Sequence, residues 1–157
     1  MKIAFTLNNQ PVEIETTAEA RLIDVLRNEI KLTGTKESCG EGQCGVCSVL
    51  INNKLVLACL TPMIKVDGAD VKTIEFLSRD GKLDYVQQAF IDVDAAQCGF
   101  CTSGFVMTIK DYIDNGGENN EEAIKKAISG NICRCTGYTS IINAVKLAFE
   151  YKEKLSK

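Results

Sequence analysis

The 157-residue sequence contains no histidine, and this single absence removes several kinds of chemistry. Ser-His-Asp and Cys-His catalysis, Rieske ligation and every zinc site that uses an imidazole are excluded. The sequence also lacks a G-x-G-x-x-G motif opening a βαβ unit, and it lacks a Walker A motif. We therefore expect any nucleotide cofactor to be bound by another polypeptide.

Long apolar runs are missing as well, and the nearest approach to one is the short segment 55–60. No membrane-spanning helix is predicted, because such a helix needs roughly 20 apolar residues. Residues 1–17 turn polar after a brief apolar patch, so they lack the apolar region of a secretory signal. We expect a cytoplasmic protein with no membrane partner.

A basic surface is not indicated either, since the formal net charge is -3 and the lysines and arginines are scattered among acidic residues. Nucleic-acid-binding domains concentrate positive charge on one face. We therefore expect no nucleic-acid partner.

Eight cysteines are the chemically distinctive residues of the chain. In a reducing compartment, cysteine patterns more often bind metal or carry redox chemistry than form disulfides. The chain is long enough for one ordinary core or two small ones, and two small cores would each need reinforcement. Metal sites built from the cysteines would supply it.

The two halves of the sequence have different hydrophobic periods. In residues 2–16 apolar residues alternate with others on both sides of an Asn8-Asn9 turn, which predicts a β-hairpin. A helix is predicted over 22–30. Further strands are predicted over the segments 48–51, 55–57 and 71–74. This half is predicted to be a small α+β domain.

After Glu75 the period becomes helical. One helix is predicted around Leu83, Val86, Phe90 and Val93, and three more follow. The first of these begins after Thr102 or Ser103 as its N-cap, the next is capped by Asn119 or Asn120, and the last starts near Thr139 or Ser140. Four short helices predict a bundle, and the pattern break between 76 and 82 predicts domains over 1–75 and 76–157.

A first group of four cysteines, here called the first quartet, has the spacing C-x4-C-x2-C-x11-C. Its first three members match the plant-type ferredoxin pattern, in which a distant fourth cysteine completes the site. Interleaved glycines allow backbone N–H groups to approach the sulfurs closely. The first quartet consists of Cys39, Cys44, Cys47 and Cys59.

The remaining cysteines, here called the second quartet, form a C-x2-C pair and a C-x-C pair, each just before a predicted helix. The positive end of a helix favours thiolates, so two such helix starts could close a four-thiolate site. Zinc held by four cysteines is the competing interpretation. The second quartet consists of Cys98, Cys101, Cys133 and Cys135.

Three segments carry a family resemblance: ESCGEGQCGVCSVLINNKLVLAC, QCGFCTSGF and SGNICRCTGY. In order and spacing they resemble the iron-sulfur subunit of the xanthine dehydrogenase family of molybdenum hydroxylases. The resemblance covers nearly the whole chain. It implies an α+β protein with an N-terminal β-grasp, plant-type ferredoxin-like domain and a C-terminal all-α four-helix bundle, each with one 2Fe-2S cluster.

The resemblance further implies an electron relay without substrate chemistry in this chain. By this resemblance, the second quartet is expected to hold the proximal cluster, next to a molybdopterin on a large partner subunit. The first quartet is expected to hold the distal cluster, which faces a subunit carrying FAD. Gln97 and Cys135 match family positions near the pterin and are expected to contact it.

Two other functions stay open at this point: a free two-cluster electron carrier and a zinc-stabilised interaction module. A free carrier should purify alone, without a large partner. A zinc module should lack both visible absorption and acid-labile sulfide. The substrate of the complex is not encoded in this chain. Xanthine or another purine is the expectation, with aldehydes, carbon monoxide and aromatic rings as alternatives.

Overall fold

A computed structural model describes all residues of the chain, 1–157. Its first half contains one mixed five-stranded sheet in the order β2-β1-β5-β3-β4, in which only β1 and β5 pair in parallel. The strands are β1 (Lys2–Leu7), β2 (Gln10–Glu15), β3 (Ser48–Ile51), β4 (Lys54–Leu57) and β5 (Asp70–Lys72).

The predicted N-terminal hairpin is confirmed. Asn8 and Asn9 have φ of 51° and 68°, the left-handed values that a tight two-residue hairpin turn requires and asparagine tolerates. The last predicted strand, over 71–74, is too long. It stops at Lys72 because the Thr73 N–H donates to the side chain of Asn8, and the chain then enters a 3-10 turn, Ile74–Phe76.

The helix predicted over 22–30 is one α-helical turn, α1 (Leu22–Asp24), continued by a π-helical turn, Val25–Glu29. Leu22, Ile23, Val25 and Leu26 are all fully buried. These side chains pack against the apolar face of the sheet in a cluster that also includes two cysteines of the first quartet, Cys47 and Cys59.

The second half contains four helices, in agreement with the predicted number. They are α2 (Tyr85–Asp92), α3 (Thr102–Asp114), α4 (Glu121–Ala127) and α5 (Thr139–Leu155). Helix α2 packs on α3 and α5, and α4 packs on the same two helices. Helix α3 also packs on strands β3 and β4, so it is shared with the sheet. A regular four-helix bundle stays a prediction.

Helix boundaries show where local signals were misread. Leu83 lies before α2 and is 43% exposed, because Asp84 and Gln87 form a capping box that starts the helix at Tyr85. Neither Thr102 nor Ser103 is the N-cap of α3, because both lie inside the helix, and the Ser103 hydroxyl is buried without a hydrogen-bond partner. Asn120 caps α4 through its side chain, as one of the two predicted alternatives.

Buried apolar side chains form two separate clusters. One is built from the sheet, α1 and the π-helical turn, and the other from the four helices. Leu50 and Leu55 of the sheet contact the helical cluster from outside. Each of the helices is too short or too polar to span a lipid bilayer.

Candidate metal centres

The first quartet is assembled locally. Three of its cysteines lie in the loop that precedes β3, and Cys59 follows β4 in a 3-10 turn, Ala58–Leu60. Because β3 and β4 are paired antiparallel neighbours, the start of β3 lies beside the end of β4, which brings Cys47 close to Cys59. The Cys47 thiol lies within hydrogen-bond range of Cys59, and the Cys39 thiol within range of Cys44.

Backbone N–H groups converge on the exposed side of this loop. The N–H groups of Glu41 and Gln43 donate to Cys39 Sγ, with nitrogen-sulfur distances of 3.5 and 3.3 Å. The three glycines of the loop have φ between 68° and 80°, which confirms the predicted backbone. At Gly45 an added Cβ would lie 2.4 Å from the carbonyl oxygen of Gly130. The loop can therefore approach the second half only through glycine.

The two ends of the first quartet differ in electrostatics. The N–H groups of Glu41 and Gln43, with a contact from Cys44, lower the pKa of Cys39 to about 7. Burial raises the pKa of Cys47 to about 12. The loop backbone thus favours the thiolate, the form that binds metal, at Cys39, whereas burial disfavours it at Cys47.

The second quartet is assembled by tertiary packing. Cys98 and Cys101 precede α3, while Cys133 and Cys135 precede α5. The sulfurs of Cys98 and Cys135 are 3.7 Å apart, although 37 residues separate them in sequence. Cys101 lies within hydrogen-bond range of Cys133. Both predicted pairs therefore stand at helix starts and face each other.

Burial and hydrogen bonding again shift the pKa values of the thiols in different directions. Burial, with the neighbouring Cys133, raises the pKa of Cys101 to about 12. At Cys133 burial opposes ionisation, but hydrogen bonds from the hydroxyl and the N–H of Thr136 outweigh it and lower the pKa. The contact with Cys98 raises the pKa of Cys135.

Both quartets share one arrangement, two pairs of thiols rather than four sulfurs around one point. Nowhere in the chain do three or more acidic or cysteine side chains converge closely enough to hold a single metal ion. Two thiol pairs suit a centre with two metal ions, each held by one pair, and thiolate donors are those that iron-sulfur clusters use. The residues present therefore fit a 2Fe-2S cluster in each quartet.

The two candidate centres adjoin each other. The N–H of Ile132 donates to the carbonyl oxygen of Cys44 at 3.0 Å, and the Asn131 side chain donates to the Gly45 carbonyl at 3.1 Å. A cavity of about 270 Å³ contains all four cysteines of the second quartet in its wall. The remainder of that wall is Ser38, Cys44, Val46, Phe100, Ile132 and Arg134.

Other residues singled out from the sequence have the following positions. Gln97 is exposed beside Cys98, and Cys135 is exposed as well, so both can be reached by another subunit. Arg134 is exposed between two cysteines. Phe100 is 46% exposed and borders the cavity.

Sequence reasoning missed three contributors. Thr136 donates its hydroxyl to Cys133 Sγ, and the hydroxyl oxygen of Tyr138 accepts from the Cys133 N–H. The Asn131 side chain joins the two cysteine loops. The position of Thr136, three residues after Cys133, is a turn-like spacing that could have identified it.

Comparisons with known proteins agree with this geometry. A family model described as a 2Fe-2S iron-sulfur cluster binding domain matches residues 5–64, and a second, described as a 2Fe-2S binding domain, matches 73–146. The nicotinate dehydrogenase small FeS subunit of Eubacterium barkeri is 40% identical over 148 residues, covering 94% of each chain.

Two further matches are similar in extent. A probable xanthine dehydrogenase subunit of Bacillus subtilis is 41% identical, and the match covers 88% of this chain and 80% of the Bacillus protein. Among solved structures, quinoline 2-oxidoreductase from Pseudomonas putida 86 has a TM-score of 0.93 at 35% identity. That match covers 98% of this chain and 96% of the quinoline 2-oxidoreductase chain.

Proposed function

The chain belongs to the iron-sulfur subunits of the molybdenum hydroxylases, and from this premise we propose which of its residues carry the electrons and in which direction. It is a non-catalytic electron-transfer subunit with two 2Fe-2S binding domains. We assign the first quartet as ligands of one cluster and the second quartet as ligands of the other. The proposed domains are residues 1–75 and 76–157.

The observation that carries this assignment is the direct hydrogen bonding between the two loops that carry the paired thiols. The Ile132 N–H donates to the Cys44 carbonyl, so a ligand of the first quartet lies one hydrogen bond from the residue next to Cys133. When bound at these positions, each cluster supplies a one-electron carrier. Because the two loops adjoin each other, an electron could pass from one cluster to the other. We therefore favour electron transfer between the clusters over two clusters that act independently.

The chain's own residues have separable tasks in this proposal. Buried Cys47 and Cys133 would hold metal away from water, while the N–H groups of Glu41 and Gln43 would offset negative charge at Cys39. Asn131 holds the loop of the first quartet against that of the second.

We place the second quartet next to the molybdopterin of a large partner subunit. Cys98 and Cys135 are the two exposed ligands of that quartet, and exposed Gln97 lies beside them, so this surface can meet a cofactor on another chain. Gln97 and Cys135 are the proposed pterin contacts. The first quartet then faces a subunit carrying FAD or another acceptor, and the complex is proposed to be cytoplasmic.

The substrate is proposed at the level of the complex. The names of the two related proteins refer to nicotinate and xanthine, yet those proteins are about equally similar to this chain. This chain therefore does not select the substrate. Xanthine or another purine is the first substrate class to assay, and aldehydes are the second.

Two alternative functions make different predictions. A free two-cluster carrier purifies alone and accepts electrons from soluble donors without a large subunit. A zinc-stabilised interaction module is colourless and contains no acid-labile sulfide. We favour the electron-transfer role within a complex because the similarity to small FeS subunits spans both halves.

The direction of transfer is tested with one variant in each quartet of the assembled complex. With Cys39→Ser, substrate is expected to reduce molybdenum and the proximal cluster, while electrons stall before the flavin and steady turnover falls steeply. With Cys98→Ser, substrate is expected to reduce molybdenum while the distal cluster stays oxidised on the catalytic timescale. Rapid-freeze electron paramagnetic resonance (EPR) separates these outcomes.

A specific result contradicts the proposed order. In the Cys98→Ser complex the proximal cluster is first shown to be absent by its EPR signal. If substrate then still reduces the distal cluster at the wild-type rate, the two quartets do not act in series. Substrate turnover by the pure chain without partners would contradict the non-catalytic role.

A further inference from the structure

The hydroxyl of Thr136 is fixed in one direction by its neighbours. Its oxygen accepts a hydrogen bond from the N–H of Tyr138 at 3.2 Å and lies 3.1 Å from Cys133 Sγ. A hydroxyl carries a single hydrogen. Because the oxygen is the acceptor toward Tyr138, its hydrogen is available to point at the sulfur.

Tyr138, in turn, is held by the residue whose sulfur receives that hydrogen. The Cys133 N–H donates to the Tyr138 hydroxyl oxygen at 3.0 Å. The Tyr138 ring packs edge-to-face on fully buried Phe105, with centroids 6.3 Å apart. Cys133, Tyr138 and Thr136 therefore form a closed ring of hydrogen bonds anchored on the helical core.

The first quartet has no equivalent of this device. Its hydrogen bonds to sulfur from outside the quartet come from the backbone N–H groups of Glu41 and Gln43. Apart from contacts between cysteines themselves, the Thr136 hydroxyl is the side-chain group that donates to a cysteine sulfur in this chain. Substitution at Thr136 can therefore change one centre and leave the other as an internal reference.

A hydrogen bond to a ligand sulfur is stronger when the centre carries an additional electron, so it favours the reduced state. We propose that Thr136 is a positioning residue that raises the reduction potential of the second-quartet cluster by donating its hydroxyl to Cys133. This proposal depends on the function proposed above, since it assumes that the second quartet holds a one-electron centre.

The test is an EPR-monitored redox titration of the full chain in its complex, with Thr136→Val and Thr136→Ser. Valine keeps the shape of threonine but removes the hydroxyl, and serine keeps the hydroxyl. In Thr136→Val we expect the equilibrium constant for one-electron reduction of the proximal cluster to fall about tenfold. For a one-electron couple this corresponds to a midpoint potential that is lower by about 59 mV. Thr136→Ser and the distal cluster should keep wild-type midpoints.

Thr102→Val is the matched control, because Thr102 also directly follows a cysteine of the second quartet, Cys101. It should leave both midpoints unchanged. Thr136→Ala provides a second hydroxyl-free variant in case valine disturbs the loop. It should shift the proximal midpoint in the same direction as valine.

Three results overturn the proposal. The first is an unchanged proximal midpoint in hydroxyl-free variants that retain the cluster, and the second is an equal shift in Thr102→Val. The third is loss of the proximal cluster in both hydroxyl-free variants with retention in Thr136→Ser, since the hydroxyl would then be needed for assembly. Failure of the underlying function is distinct: the wild-type protein would show no iron-sulfur signal from the second quartet.

Discussion

The two quartets present similar sets of thiols but are built in opposite ways. The first is nearly contiguous: a glycine-rich loop contributes three cysteines, and the antiparallel pairing of β3 and β4 brings the fourth. The second joins residues from two helix starts, so Cys98 and Cys135 meet only after α3 and α5 have packed. The first site is thus specified locally, and the second depends on a formed core.

The hydrogen bonds to sulfur follow the same division. At Cys39 they come from the loop backbone, which any sequence with that backbone conformation provides. At Cys133 the Thr136 side chain contributes, and its direction depends on Tyr138 packing against Phe105. We therefore expect the second centre to respond to substitutions in the surrounding core more strongly than the first.

The largest effect should come from removing one ligand in each quartet, buried Cys47 in the first and partly buried Cys101 in the second. Cys47→Ala should abolish the first-quartet cluster and spare the second, and Cys101→Ala should do the reverse. Because each quartet is proposed to hold one cluster, each variant should lose about half of the iron. Iron analysis with EPR of the reduced protein measures this. Loss of both clusters in both variants would show that the quartets are not independent.

The next effect compares the two cores that support the quartets. Ile23 and Ile141 are both buried, the first in the sheet cluster and the second in the helical cluster. Replacing either with alanine should cost about 2–5 kcal/mol of local stability. On heating, Ile141→Ala should bleach the proximal cluster first, whereas Ile23→Ala should leave it closer to wild type. Circular dichroism in the visible range follows the loss.

If Ile23→Ala destabilises the proximal cluster as strongly as Ile141→Ala does, the two halves unfold as one unit. The proposed division into residues 1–75 and 76–157 would then have no thermodynamic meaning.

A smaller effect is expected where the two halves touch. An added Cβ at Gly104 in α3 would lie 2.4 Å from the Gly45 carbonyl oxygen and 2.7 Å from Val46 Cα. Alanine gains roughly 0.5–1 kcal/mol of helix propensity over glycine. The clash with backbone should outweigh this gain, for a net loss of about 1 kcal/mol, since overpacking costs about 1–3 kcal/mol.

Gly130→Ala is the control for Gly104→Ala, because nothing lies within 4 Å of an added Cβ there and its φ is not positive. Thermal melting followed by far-ultraviolet circular dichroism compares the two variants. Equal melting temperatures would mean that α3 can move away from the first-quartet loop without loss.

A last effect, of similar size, concerns α4, one of the two helices between the cysteine pairs of the second quartet. The Asn120 side chain accepts from the Ala123 N–H at the start of α4. Asn120→Ala should cost about 1 kcal/mol, and Asn119→Ala, at the adjacent asparagine, should cost less. Thermal melting of the two variants measures the difference. A larger loss of stability in Asn119→Ala than in Asn120→Ala would mean that Asn119, and not Asn120, caps α4.

The comparison also explains how much the sequence could predict. Local sequence signals predict the N-terminal hairpin from its alternating residues and the left-handed glycines from the glycine-rich loop. They also predict the Asn120 cap at the start of α4. Pairing of Cys98 with Cys135 followed from no local rule, because it depends on how α3 and α5 pack. The spacing of the motifs and the family resemblance predict a four-cysteine site here, but not which sulfurs lie together.

Errors arose where two local preferences competed. Ser103 is a good capping residue, yet α3 starts one residue earlier and the Ser103 hydroxyl becomes buried. The helix over 22–30 was predicted as regular, but it continues as a π-helical turn that buries both Val25 and Leu26. Hydrophobic spacing alone does not distinguish the two windings.

The central claim is that two thiol quartets hold two 2Fe-2S clusters, and metal analysis of the anaerobically purified native protein tests it most directly. Iron, zinc and acid-labile sulfide are measured per chain and compared with EPR of the reduced sample. The account predicts about four iron and four sulfide per chain, two distinguishable EPR signals and negligible zinc. About one zinc per quartet without labile sulfide would contradict it.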